Sequence, residues 1–281
     1  GNRTVLVNPY TGAVLGAPAA GLRTFFRATT NWHRWLALEG ASRATGRLVT
    51  GAANAGFLFI VLSGIYLWVP RIWSRTQFAQ VLWFRGGLPG KARDFNWHNV
   101  IGIWSAVPLA IVVAGAVPIS FPWASALVYR LAGDTPPPAA ARPASPGPSR
   151  AGGETTRPAA PALAGLDAAW GLAEGQVPDW RAISVRLTGP PDAPFALTID
   201  EGYGGQPQKR GTLRVHRATG AVVDWETFEA LSPGRRARSW LRFAHTGEYY
   251  GLVGQTVAGL VSAGGAVLVY TGIALAWRRW W

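Results

Sequence analysis

The chain has 281 residues, 49% of them hydrophobic, and carries 27 Lys and Arg against 14 Asp and Glu for a net charge of +13 at pH 7. It contains neither Cys nor Met, which excludes disulfides, thiolate-bound zinc or iron–sulfur clusters, c-type haem attachment and Met axial ligation. The basic surplus is mostly Arg beside apolar runs, where anionic headgroups suffice as partners, and no nucleic-acid recognition module accompanies it.

In chain order, Thr4–Val7, Asn8–Gly12 and Ala13–Leu15 read as strand, turn and strand. An Arg- and aromatic-rich stretch follows, holding Trp32-His33-Arg34-Trp35. The first charge-free run then extends from Leu48 to Pro70 and leaves through Ile65-Tyr66-Leu67-Trp68, with aromatic groups where an interfacial belt belongs. A charge in hydrocarbon costs roughly 3 kcal/mol or more, so such runs mark spans. A short basic loop with Arg71, Arg75, Arg85, Lys91 and Arg93 precedes the second run, bracketed by Asp94 and Arg130. Its apolar heart, Val100 to Phe121, holds Pro108 and Pro118, which packed membrane helices accommodate.

Thr135 to Pro161 is Pro- and Ala-rich and reads as an extended linker. Beyond it, Leu163–Gly175 is expected as a helix, Ile183–Leu187 and Phe195–Ile199 as strands, and Leu213–Trp225 as a hairpin turning at Thr219-Gly220. The third charge-free run lies between Glu248 and Arg278 and is rich in Gly and Ala, which let another helix approach closely.

Thr212–Val223 repeats Thr4–Leu15, matching at Thr, Val and Thr-Gly-Ala-Val. Each hairpin precedes an Arg- and aromatic-rich stretch with one His, His33 or His245, and then an apolar helix. The expected organisation is a first α+β domain ending at 20, an interfacial helix and span at 21–70, a loop at 71–97 and a span at 98–130. A linker at 131–161, a second α+β domain at 162–232, and an interfacial helix and span at 233–281 follow. Two spans separate the hairpins, so both hairpins lie on one side of the membrane. Positive-inside counting is nearly balanced between the two sides.

Of the four histidines, His216 falls in a strand, aligns with Asn8 and reads as a surface residue. His33, His98 and His245 each lie near the start of a span, where ionisable groups are functional candidates. Parity puts His33 and His245 on the domain side and His98 on the other, roughly 30 Å away. The spans show no buried carboxylate, which disfavours a transporter.

Several segments together resemble the PepSY-associated transmembrane proteins of bacteria: Asn8-Pro9-Tyr10-Thr11-Gly12, Trp32-His33-Arg34-Trp35-Leu36, Gly46-Arg47-Leu48, Ser63-Gly64-Ile65-Tyr66-Leu67-Trp68, Asn96-Trp97-His98-Asn99 and His245-Thr246-Gly247-Glu248. The resemblance implies an α-helical integral membrane protein of the bacterial inner membrane, with an inserted small α+β PepSY-like domain in the periplasm. Members of that family usually have four core helices, so the resemblance also implies a fourth helix upstream of Gly1. Some members resemble ferric-siderophore reductases that carry electrons through b-type haem, and some carry a flavin reductase domain. No flavin or nicotinamide motif is present here, so the electron donor is expected to be a separate cytoplasmic partner, a flavin reductase or similar.

On this reading the cofactor is haem b. His33 and His245 converge as axial ligands of one haem, and Arg34 and Arg242 pair with its propionates. His98 binds a second haem with a histidine upstream of this chain, which gives two haems in the intact protein. The expected function is electron relay from the cytoplasmic side to a periplasmic acceptor, a ferric chelate being one candidate. The alternative is a non-redox, membrane-anchored binding or regulatory protein.

Overall fold

The computed structural model describes residues 4–8, 10–16, 19–68, 74–138, 163–187 and 193–280. Most of the linker, together with Val69–Trp73 and Arg71 among them, lies outside the described residues. The chain forms two compact units, Gly1–Ala53 with Pro137–Pro158, and Asn54–Pro136 with Ala159–Trp281.

In the first unit, β1 (Leu6–Val7) and β2 (Val14–Gly16) form an antiparallel hairpin. α1 (Ala20–Trp35) is amphipathic and ends at Leu36 and Ala37, both in the left-handed region. A 3-10 turn at Gly40–Ser42 leads into α2 (Arg43–Trp68), which continues into the second unit. A side chain at Gly46 would collide with the main chain of Trp35, so the helix-to-span corner requires glycine there.

The second unit continues with α3 (Arg75–Leu82), α4 (Gly90–Ser120) and α5 (Pro122–Leu131). α4 starts before the expected boundary at 98, and in these first turns the polar Asp94 and Asn96 are buried while their neighbours are exposed. The expected span 98–130 is divided at Phe121, whose extended backbone and the following Pro122 end one helix and open the next. α6 (Leu166–Gln176) packs on a four-stranded antiparallel sheet, β3 (Ala182–Arg186), β4 (Phe195–Asp200), β5 (Arg210–Val215) and β6 (Val222–Thr227), in that order. Period-two alternation puts Phe195, Leu197, Ile199, Leu213 and Val215 on one face, where they are buried against Ala169 and Ala173 of α6. Each such side chain contributes roughly 1.5–3 kcal/mol. This is the helix-on-sheet domain expected from the sequence.

The hairpin repeat is reproduced in its main-chain hydrogen bonds. Asn8 N–H donates to the Ala13 carbonyl and Gly12 N–H to the Asn8 carbonyl, as His216 N–H does to Ala221 and Gly220 N–H to His216. Thr11 Oγ1 accepts from Ala13 N–H at 3.3 Å, and Thr219 Oγ1 accepts from Ala221 N–H at 3.3 Å. Asn8 Oδ1 accepts from Tyr10 and Thr11 N–H, and His216 Nδ1 accepts from Thr219 N–H. His216 is therefore a turn-capping residue. Gly12 and Gly220 have φ of 67° and 68°, as the expected tight turn at Thr219-Gly220 requires.

α7 (Pro233–His245), a 3-10 turn at Glu248–Tyr250 and α8 (Gly251–Trp280) complete the chain. This order repeats that of α1, its 3-10 turn and α2. Gly254 corresponds to Gly46, since a side chain there would meet the Gly247 carbonyl. α8 runs antiparallel to α4: Arg278 meets Asp94, Thr271 meets His98, and Gly264 and Gly265 lie against Ile101 and Leu109. Leu109, Val113 and Val261 form the apolar centre, flanked by Phe57, Leu58 and Val61 of α2. Asn54 donates to the Val113 carbonyl at 3.0 Å, a polar tie of the kind that holds membrane helices together.

Candidate functional site

α4 is the scaffold on which two histidines are fixed. His245 ends α7 and its Nδ1 lies 2.7 Å from the Val112 carbonyl. A carbonyl only accepts, so Nδ1 carries the proton, and in the neutral ring Nε2 carries the lone pair. Gly115 makes this possible. A Cβ there would stand 2.5 Å from the Leu241 carbonyl and 3.0 Å from His245 Cβ, so only glycine lets α7 lie this close.

Three further contacts set α7 in place. Asp134 accepts hydrogen bonds from the Ser232 hydroxyl and, at 3.2 Å, from Gly234 N–H, capping the helix start. The Ser232 hydroxyl chiefly, with the Thr135 and Gly234 amides, holds the Asp134 carboxyl below the usual carboxylate range. Arg238 donates to Ser125 Oγ at 3.1 Å and to the Pro118 carbonyl at 3.1 Å. Arg235 pairs with Glu226 of β6 at 2.6 Å, and Arg214 of β5 reaches the same carboxylate. The Arg235 hydrogen bond first, and the charges of Arg235 and Arg214 after it, hold Glu226 below its usual range against the opposing effect of burial.

The soluble domain also touches the turn after His245. Gln208 Nε2 donates to the Tyr249 carbonyl at 2.8 Å, and a side chain at Gly205 would collide with Glu248.

At the other end of α4, His98 Nδ1 lies 2.9 Å from Thr271 Oγ1. The Thr271 hydroxyl has one proton, which it gives to the Val267 carbonyl at 2.8 Å. With that proton spent, the Thr271 oxygen is an acceptor for His98 Nδ1–H, and the main chain of Leu268 is a second hydrogen-bond partner of the imidazole. Thr271 is 1% exposed, so this arrangement is shielded from water. His98 stands 14 residues before Val112, about 21 Å along the helix axis at 1.5 Å per residue. His98 and the carbonyl that seats His245 are thus at separate levels along α4.

One turn before His98, Asp94 is 1% exposed and bonded to Arg93 at 3.0 Å and to Arg278 at 2.7 Å. This corrects the expectation that the spans hold no buried carboxylate. Asp94 closes the apolar run in the sequence, yet it lies inside the helix because Arg278 of α8 neutralises it there. Asp94, Thr271, Arg278 and Arg238 carry no motif; the pairings of Asp94 with Arg278, Thr271 with His98 and Arg238 with Ser125 join residues remote in sequence and arise from helix packing.

His33 lies on an exposed face of α1. Arg34 stacks on Trp35 with its guanidinium 4.5 Å from the ring centroid, and Arg43 lies 4.3 Å from the same ring. Arg242 is exposed and stands 5.6 Å from the Phe243 ring. No group of three or more metal-ligating side chains occurs among the described residues. An axially ligated haem needs only one or two imidazoles, and both His98 and His245 present the nitrogen chemistry that fits it.

Three apolar helices of 29, 31 and 32 residues, at Gly40–Trp68, Gly90–Ser120 and Glu248–Arg279, with a small α+β domain inserted before the third, define the class: a multi-pass helical membrane protein. The model of one family, the PepSY-associated TM region, matches residues 1–279, and the chain belongs to that family. No curated protein matches the sequence.

Proposed function

We propose that this protein binds haem b and relays electrons from the cytoplasmic side of the bacterial inner membrane to a periplasmic acceptor, with a ferric chelate as the candidate acceptor. One observation carries the reading. His98 and the Val112 carbonyl that seats His245 lie about 21 Å apart along α4, and each imidazole holds its Nδ1 in a hydrogen bond to a fixed partner, the kind of support that orients metal-bound histidines.

His33 is the proposed second ligand at the His245 level, because the two are equivalent in the repeat. Arg34 and Arg242 are proposed to pair with propionates. Bound haem would supply one-electron chemistry at its iron. The chain's own residues hydrogen-bond the imidazoles, keep water from Thr271 and hold α7 against α4. A separate cytoplasmic electron donor, a flavin reductase or similar, completes the scheme.

The test is spectroscopic. Protein purified from haem-replete cells is expected to show a reducible Soret band, sharp α and β bands and the pyridine haemochrome of haem b. A colourless protein from the same cells sinks the reading and leaves a non-redox, membrane-anchored binding protein.

A further inference from the structure

A cavity of about 640 Å³ opens at the end of α4 remote from the soluble domain, between α3, residues 83–89, the first turns of α4 and the last turns of α8. Val81, Leu88, Phe95 and Leu275 give it apolar walls, and Arg85 and Lys91 are its charged residues. No carboxylate lines it. Asp94, the buried carboxylate of this region, is already engaged by Arg93 and Arg278. Among the described residues, neither Arg85 nor Lys91 has an ion-pair partner.

The frame of the cavity is fixed. Asn96, 4% exposed, accepts from Arg85 N–H at 3.0 Å and donates to the Trp83 carbonyl at 3.1 Å, which ties the loop to α4. Its depth is also defined, because Gly90 opens the second span, and Leu275 lies five residues, about 7.5 Å, before the end of α8. The cavity thus adjoins the ends of two apolar spans, and span ends are where acyl chains give way to headgroups.

We propose that this cavity binds one anionic phospholipid, with its phosphate between Arg85 and Lys91 and an acyl chain against Phe95 and Leu275. Two cations without a counter-charge at a membrane boundary call for an anion, and the apolar walls call for an occupant that continues into hydrocarbon. Phe95, 59% exposed, is covered by an acyl chain but not by a free phosphate. An acidic peptide would leave its main-chain groups unpaired against Val81, Leu88 and Leu275. The proposal does not depend on haem.

The experiment is native mass spectrometry of the detergent-purified chain titrated with phosphatidylglycerol or phosphatidylcholine. Phosphatidylglycerol is expected to bind more tightly. The double variant Arg85→Gln, Lys91→Gln should lose about thirtyfold in affinity, the equivalent of about 1 kcal/mol per basic residue. Ala92→Phe, which keeps both charges and fills the cavity, should lose a comparable factor, while Arg75→Gln on α3 should stay within about twofold. Unchanged binding in both cavity variants, or an equal loss in Arg75→Gln, overturns the proposal. So does displacement of the lipid by millimolar inorganic phosphate or by an oligoglutamate peptide.

Discussion

His245 and Val112 are joined by a 2.7 Å hydrogen bond that runs from an imidazole to the main chain of another helix. The bond couples the end of α7 to α4 and sets which ring nitrogen carries the proton in the neutral ring. If His98 and His245 serve separate haems, His98→Ala and His245→Ala should each remove part of the haem and leave the rest spectroscopically intact. His216→Ala should change nothing, because that ring caps a turn. Haem quantification with low-temperature electron paramagnetic resonance decides the matter, and identical spectra in all three variants would exclude both ligands.

Thr271→Val keeps the shape of the side chain and removes the oxygen that accepts from His98. The stranded Nδ1–H should cost about 1–3 kcal/mol of stability and, as in other metal sites that lose a supporting hydrogen bond, roughly tenfold or more in haem affinity. Thr271→Ser should retain most of both. Equal affinity in Thr271→Val and the parent would show that the hydroxyl does not position the ring.

Gly115→Ala places a methyl group against the Leu241 carbonyl. α7 must shift, at about 1–3 kcal/mol for the overpacking, and the bond from His245 to Val112 should lengthen or break. Hydrogen exchange at Leu241–His245 should rise in this variant while exchange in β4 and β5 stays unchanged.

Asp94→Asn leaves Arg278 beside the start of α4 without its partner. A fully buried pair loses about 3–5 kcal/mol when broken, and an exposed one about 1 kcal/mol or less. Because Arg278 is 39% exposed and Asp94 2% exposed in their side chains, a loss of about 2 kcal/mol is expected. Adding Arg278→Gln should recover part of it. Thermal denaturation in detergent measures Asp94→Asn, Arg278→Gln and the double variant, and additive effects would show that the two residues are not coupled.

Acid should loosen α7 from its N-terminus. Asp134 and Glu226 are both held below their ordinary ranges. Each therefore contributes stability that is complete above its unfolded-state value and lost as pH falls through the folded one. The opening equilibrium at Gly234–Arg238, read as amide exchange corrected for the intrinsic pH dependence, should stay flat above about pH 5 and rise below about pH 4. Asp134→Asn should abolish most of that rise, and an unchanged profile would remove Asp134 from the account.

Much of this architecture is legible in the sequence because it depends on local pattern. The alternation from Phe195 to Ile199 gives a half-buried strand, and Thr219-Gly220 gives its turn. Charge-free runs give the spans, and the match of Thr4–Leu15 to Thr212–Val223 gives the repeated hairpin down to its hydrogen bonds. The limits of α4 are not legible, since Asp94 ends the apolar run although Arg278, 184 residues away, lets it stay inside the helix. The histidines themselves stand out by their rarity and place. Their partners do not: Val112 contributes only a carbonyl, which every residue has, and Thr271 reads as one more small residue in a Gly- and Ala-rich span.

Because one continuous helix carries both His98 and the carbonyl that seats His245, their separation obeys a phase condition. Fourteen residues make about 3.9 turns, so the two positions fall within about 40° of the same face of α4. Inserting or deleting a single residue between Asn99 and Ile111 would turn one level by about 100° against the other, and α7 and α8, joined by a short turn, could not follow both. Length variation should therefore be tolerated in the Pro- and Ala-rich segment before α6 and refused inside this stretch of α4, whatever residues are used to fill it.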